Sequence, residues 1–172
     1  MIKLTRKEAC ELIRSSIGKP IPTGDTFDRI VFAVNNDTQV RDFLMGLPKY
    51  YDTQQVIDFL CGMANDTKLG EDIPFVSVAS TIAYETGNME EFFKHVGFIC
   101  TFAPKYSLNT LLMSVAKAGM PGKMITQMRD ELHVKVMELC YKTDPDFIIE
   151  RNENNGQYLS SSSDVSSSSE SA

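Results

Sequence analysis

Signals that start and stop helices recur at short intervals in the middle of this sequence, and they constrain the fold more than any other feature. Gly87 suits the left-handed conformation that closes a helix, Asn88 starts the next helix, and Pro104 ends that helix. Gly119 and Pro121 then separate two more helical segments. Short helices gain most of their stability by packing their apolar faces together. The pattern therefore predicts a helical hairpin inside a globular bundle.

Helical signals also cover the first half of the chain. Thr5 and Glu8 have the spacing of a capping box, and Asp37 precedes another amphipathic segment. Residues 27–34 form an apolar run that fits a helix or a strand, and the absence of a partner strand favours the helix. We expect an all-α domain over residues 1–149, a compact bundle of about seven or eight helices.

Individual helix boundaries follow from the same signals. Asp25 or Thr26 is predicted to cap the second helix, and Ser107 a later one. The last and longest helix is predicted from Pro121 to about Tyr141. Apolar residues at helical spacing predict the face that this helix buries: Met124, Met128, Leu132, Val136 and Leu139.

The composition changes after Ile149. Residues 150–172 are mostly Ser, Asn and acidic residues, with few large apolar groups. Such a segment cannot bury enough apolar surface to offset the entropy lost on ordering, so we predict a disordered acidic tail. Its serines near Asp164 and Glu170 leave two interpretations open, a solubilising tail or a phosphorylatable segment.

Charge and cysteine usage narrow the class of protein. The net charge is −6 and the pI about 4.9, which argues against nucleic-acid binding. That function would need a local basic face. Neither a signal peptide nor an apolar run long enough to span a membrane is present, so we expect a cytoplasmic protein. The cysteines show no metal-site or disulfide spacing and are expected to be buried free thiols: Cys10, Cys61, Cys100 and Cys140. The residues that could form the basic face are Arg6, Lys7, Arg14 and Lys19.

The sequence offers little catalytic chemistry. It has two histidines, His95 and His133, and no nucleophile, zinc or phosphate-loop motif. Glu91 precedes His95 by four residues, a spacing more typical of a surface contact than of a metal site. We therefore predict no catalytic residues, no metal and no cofactor.

The segment around Gly87 matches one unit of the tetratricopeptide pattern. Ala83, Gly87 and Pro104 fall where that repeat places a small residue, a turn and a helix end, whereas Ser80 and Phe92 depart from it. Stacked repeats need about three units for stability, so a single unit predicts a tetratricopeptide-like hairpin and not a solenoid.

The same region resembles an actinobacterial family known as domain of unknown function 4192. The resemblance spans about residues 25–125 and is carried by a Val-Arg-Asp helix and three turn motifs: Val40-Arg41-Asp42, Gly87-Asn88, Pro104-Lys105-Tyr106-Ser107-Leu108 and Gly119-Met120-Pro121, with Leu111-Leu112 between the last two. Short members occur in phages of actinobacteria. The resemblance implies a helical fold and a phage source, and it implies no activity.

Two functions from different classes remain open. The first is a non-catalytic protein-interaction module that binds a host or phage protein through a groove between helices. The alternative is a small-molecule or nucleotide-binding module, or a divergent enzyme, with a pocket between helices. The candidate interaction residues are Arg41, Asp42, Tyr106 and Asn109. For Arg41 and Asp42 an intramolecular ion pair is the favoured interpretation, and for Tyr106 a packing role beside the following helix.

Overall fold

A computed structural model describes residues 1–153. Within this range the prediction of an all-α bundle is confirmed, and residues 27–34 are helical. No helix in the described part is long and apolar enough to cross a membrane. The predicted disordered tail lies outside the described residues from position 154 onward. The eight α-helices are α1 (Arg6–Ser16), α2 (Gly24–Asn36), α3 (Thr38–Met45), α4 (Thr53–Asp66), α5 (Ile73–Glu85), α6 (Met89–Phe102), α7 (Ser107–Lys117) and α8 (Gly122–Glu138).

Side-chain caps place several of these helices as predicted. The N–H of Glu8 donates to Thr5 Oγ1 at 3.1 Å while the N–H of Thr5 donates to Glu8 Oε2 at 2.7 Å, which completes the capping box of α1. Asp37 caps α3 by accepting from the N–H of Gln39 at 2.8 Å. Asn88 caps α6 in the same way.

Two predicted caps were wrong. Helix α2 begins at Gly24 after the extended residue Thr23, two residues earlier than a cap at Asp25 would allow and three earlier than a cap at Thr26 would allow. Helix α7 follows Tyr106, and Ser107 is its first helical residue. Neither helix has a side-chain cap. Asp25 is therefore the second residue of α2 and Ser107 the first residue of α7.

Helix α5 is the centre of the bundle. Its apolar residues are buried on every side, as expected for a helix surrounded by others. Phe75, Val78 and Ile82 belong to the main core with α1–α4, whereas Ala83 and Tyr84 belong to a second core with α6, α7 and α8. The turn from α5 to α6 uses Gly87 at φ 74°, in the left-handed region.

The end of the described chain returns to its beginning. The N–H of Arg6 donates to Phe147 O and the N–H of Ile149 to Leu4 O, each at 2.9 Å. The Arg6 guanidinium lies 4.3 Å from the centre of the Phe147 ring and pairs with Asp37 at 2.9 Å. Past α8 the chain forms a π-helical turn at Leu139–Thr143, which brings this segment back to α1.

Helix α8 lies on the bundle in a rotation that the apolar spacing did not predict. Its buried residues are Ile125, His133 and Val136. His133 fits a notch left by the absent side chain of Gly46, and a Cβ built on Gly46 would lie 1.9 Å from His133 Nδ1. Burial lowers the pKa of His133, so the notch holds a neutral imidazole at neutral pH. The predicted core positions Met124, Met128 and Leu132 are exposed instead.

A polar contact with α5 holds α8 in the same rotation. Arg129 Nη1 lies 2.5 Å from Glu85 Oε2, and Thr126 donates to the same oxygen at 3.1 Å. Both side chains of the pair are nearly buried. The hydroxyl of Tyr84 donates to Met120 O just before α8 begins. Burial raises the pKa of Glu85 despite the adjacent arginine, so the pair is held at a desolvation cost.

Replacing glycine by alanine at two positions tests how α8 packs on the bundle, because the two replacements should change the free energy of unfolding in opposite directions. Gly46→Ala should lower the free energy of unfolding by about 2–3 kcal/mol, because His133 is buried and cannot move aside. Gly97→Ala, in the exposed middle of α6 with no atom in the way, should raise it by about 0.5–1 kcal/mol through helix propensity. Urea unfolding followed by circular dichroism measures both. Equal effects of the two substitutions would contradict the close approach at Gly46.

Candidate functional site

The structure brings three of the four predicted interaction residues together. Arg41 and Asp42 lie on α3, and Tyr106 is the residue just before α7. Arg41 Nη2 and Nε donate to Asp42 Oδ1 at 2.7 and 3.0 Å, and Nη1 donates to the Tyr106 hydroxyl at 3.3 Å. The favoured interpretation, an intramolecular pair that ties α3 to a neighbouring element, matches this geometry.

Burial gives this cluster a structural role. The side chains of Arg41 and Asp42 are 16% and 11% exposed, and Tyr106 is buried in a small core with Ile73 and Ile99. Burial raises the pKa of Asp42 even though Arg41 stabilises its charged form. Removing either charge would therefore leave the other one uncompensated in a poorly solvated place.

Asn109 lies apart from the other three residues, on the buried face of α7. Its Nδ2 atom is 3.4 Å from Cys100 Sγ and 3.8 Å from Met113 Sδ. Its Oδ1 atom is buried and has no hydrogen-bond partner among the described residues. The amide therefore contacts the α6–α7 packing and does not join the Arg41 cluster.

The cysteines and histidines are only partly where the sequence predicted. All four cysteines are free, but Cys61 is half-buried and Cys100 is exposed, so the expectation of burial was wrong for these two. Cys100 is exposed although its Sγ atom lies 3.5 Å from Met113 Sδ of α7. His95 contacts Glu91 at 3.4 Å. Within residues 1–153 no group of three His, Cys, Asp or Glu residues is arranged to hold a metal ion.

Two residues of the proposed basic face have intramolecular contacts. Arg6 pairs with Asp37 and stacks on Phe147. The Arg14 guanidinium lies 6.0 Å from the centre of the Tyr50 ring, and the hydroxyl groups of Tyr141 and Tyr51 raise its pKa. These contacts hold the first helix to the rest of the bundle, which leaves fewer donors for phosphate groups than the sequence suggested.

A cleft of about 490 Å³ opens beside the Arg41 cluster. Four separate segments form it: the α2–α3 junction, the loop before α5, the turn before α7, and the last described residues. Polar atoms form somewhat more of its lining than apolar atoms, and the apolar residues include Leu69, Ile73 and Pro74. The polar residues that line it include Asn35, Asp37, Thr38, Arg41, Glu71, Ser107 and Arg151.

A second candidate site is the outward face of α8, which we call the α8 face and define as Met124, Met128 and Leu132. These residues are 47%, 50% and 37% exposed. Their i, i+4, i+8 spacing places them in one row along the helix. The sequence marked these positions as core, because they are more apolar than Arg129 and His133 on the buried side. What the spacing could not show is that Arg129 and His133 have buried partners elsewhere in the chain, Glu85 and the notch at Gly46.

Comparison with protein-family models, curated proteins and solved structures gave no match for this chain.

Two arginine substitutions test whether the Arg41 cluster is structural. Arg41→Met should cost about 3 kcal/mol, because it leaves Asp42 buried without its partner. Arg29→Met removes a long contact of 4.0 Å to an exposed Asp25 and should cost less than about 1 kcal/mol. The double variant Arg41→Met with Asp42→Leu should recover part of the loss. Chemical denaturation measures all three, and a small loss for Arg41→Met would contradict a structural pair.

Proposed function

We propose that this chain is a non-catalytic protein-interaction module that binds its partner through the α8 face. The observation that supports this is the exposure of Met124, Met128 and Leu132 in one row on a helix whose opposite side is fixed to the bundle. Methionine side chains are flexible and polarisable, which suits them to packing against a partner surface. An exposed apolar row bordered by charged residues is typical of a docking surface.

The chemistry beside the α8 face indicates the kind of partner. Lys135 lies three residues after Leu132 and seven after Met128, so it is on the same side of the helix, and Glu131 borders it. An amphipathic helix with apolar residues along one side and an acidic residue opposite Lys135 would fit this arrangement. We propose a host or phage protein with such a helix as the partner.

The family resemblance belongs to the same proposal. Its three turn motifs lie at the boundaries α5–α6, α6–α7 and α7–α8. Ala83 is buried against α6, and Gly87 makes the left-handed turn, which supports a tetratricopeptide-like relation for the α5–α6 hairpin. We place the protein in the cytoplasm of an infected actinobacterial cell, because its free thiols suit a reducing compartment.

Paired substitutions on α8 test the proposal. The tagged full chain would be used to capture partners from an actinobacterial lysate, and the affinity for the captured protein would then be measured directly. Met124→Lys with Met128→Lys should weaken binding at least about tenfold, because two charges would be buried in the contact. Val134→Lys is the matched control, since Val134 is 63% exposed on another side of the same helix and its replacement should leave binding unchanged.

Two outcomes would contradict the proposal. One is a partner whose affinity is the same for the wild type and the double lysine variant. The other is the absence of any protein captured in a stoichiometric amount. Circular dichroism of each variant confirms that the helices are retained, which both exposed substitutions should allow.

A further inference from the structure

The Arg41 guanidinium is held in place by other side chains, and some of its N–H donors make no hydrogen bond to the described residues. Two of its N–H groups bond to Asp42 and a third to the Tyr106 hydroxyl. A guanidinium carries five N–H donors. The remaining two have no acceptor among the described residues. Arg41 lines the cleft whereas Asp42 does not, so the carboxylate holds the guanidinium at the wall of the cavity.

The amino end of α7 opens on the same cleft. Ser107, the first residue of the helix, is exposed and lines the cavity. Because α7 has no side-chain cap, its first N–H groups and the positive end of its dipole are not offset by a protein carboxylate. The positive end of the α7 dipole therefore adds to the positive potential of Arg41 at one end of the cavity.

Arg151 supplies a second guanidinium to the lining. It lies 5.9 Å from the centre of the Phe32 ring, which steadies its side chain at the rim. The backbone N–H of Asn152 donates to Asn36 Oδ1 at 2.7 Å and holds this segment against α2. The two arginines therefore reach the cleft from different parts of the chain.

Acidic residues also line the cleft, and they differ in whether their carboxylates are already paired with other protein groups. Asp37 is committed, since it pairs with Arg6 and accepts from the first N–H groups of α3. Glu71 and Glu153 are exposed. Solvent screens their charge more than it screens the partly buried Arg41. The balance favours an anion close to Arg41 and a polar or cationic group farther out.

We propose that this cleft binds a small organic anion through a carboxylate or phosphate group, with Arg41 and the amino end of α7 as the oxyanion site. The cavity of about 490 Å³ is large enough for a ligand of metabolite size. Arg151 contacts the same group or the polar body beside it. This binding is separate from the α8 face and does not depend on it.

The test uses inorganic phosphate and succinate as probes of the two oxyanion chemistries. Each is titrated into the full chain at constant ionic strength, with sodium chloride as the reference. Amide and arginine Nε–H resonances are followed by NMR. We expect saturable shifts at the Arg41 Nε–H and at the amides of Ser107 and Leu108 with one or both probes.

Two serine substitutions separate a specific site from general charge effects. Ser107→Asp places a negative charge at the cleft and favours the helix N-terminus, so it should weaken anion binding at least about tenfold without loss of stability. Ser114→Asp makes the same change on an exposed position of α7, about 10 Å along the helix, and should leave binding nearly unchanged. Arg151→Gln should weaken binding without disturbing the Arg41 cluster.

Three results would overturn the proposal. These are the absence of saturable shifts with both probes, an unchanged affinity in Ser107→Asp, and equal losses in Ser107→Asp and Ser114→Asp.

Discussion

The contact between α8 and the rest of the bundle decides which surface this protein presents. Two polar residues on the buried side of α8 have partners at fixed places, Arg129 on Glu85 and His133 in the notch at Gly46. A buried charge without its partner would cost several kcal/mol, so α8 cannot rotate to bury its methionines without breaking that pair. The exposed row of Met124, Met128 and Leu132 is thus a consequence of how α8 is anchored.

The two candidate sites are built in different ways. The Arg41 cluster joins α3 to the turn before α7, and the cleft beside it forms where four chain segments meet. The α8 face belongs to a single helix and needs only that helix to be held in place. One site is therefore polar and built from distant segments, whereas the other is apolar and local. The two proposals therefore assign different kinds of ligand to the two sites.

Much of the fold could be predicted because its signals are local. Gly87 and Pro104 mark helix ends, and the Thr5–Glu8 box depends on residues three positions apart. The rotation of α8 could not be predicted in this way, because His133 depends on Gly46, far away in sequence. In the candidate site, Arg41 and Asp42 are adjacent and their pairing was foreseeable. Their contact with Tyr106 joins residues 65 positions apart, and the cleft has no signature in any one segment.

The rate at which peroxide oxidises each methionine tests the outward rotation of α8 most directly. The sulfoxide content at each position is followed by peptide mass spectrometry of the folded chain, and exposure governs the rate. The account predicts that Met124 and Met128 react about as fast as the exposed Met113 and far faster than the buried Met45 and Met63. Denaturant should make the rates similar. Slow oxidation of Met124 and Met128 in the folded chain, at the rate of Met63, would contradict the account, because these residues would then be core.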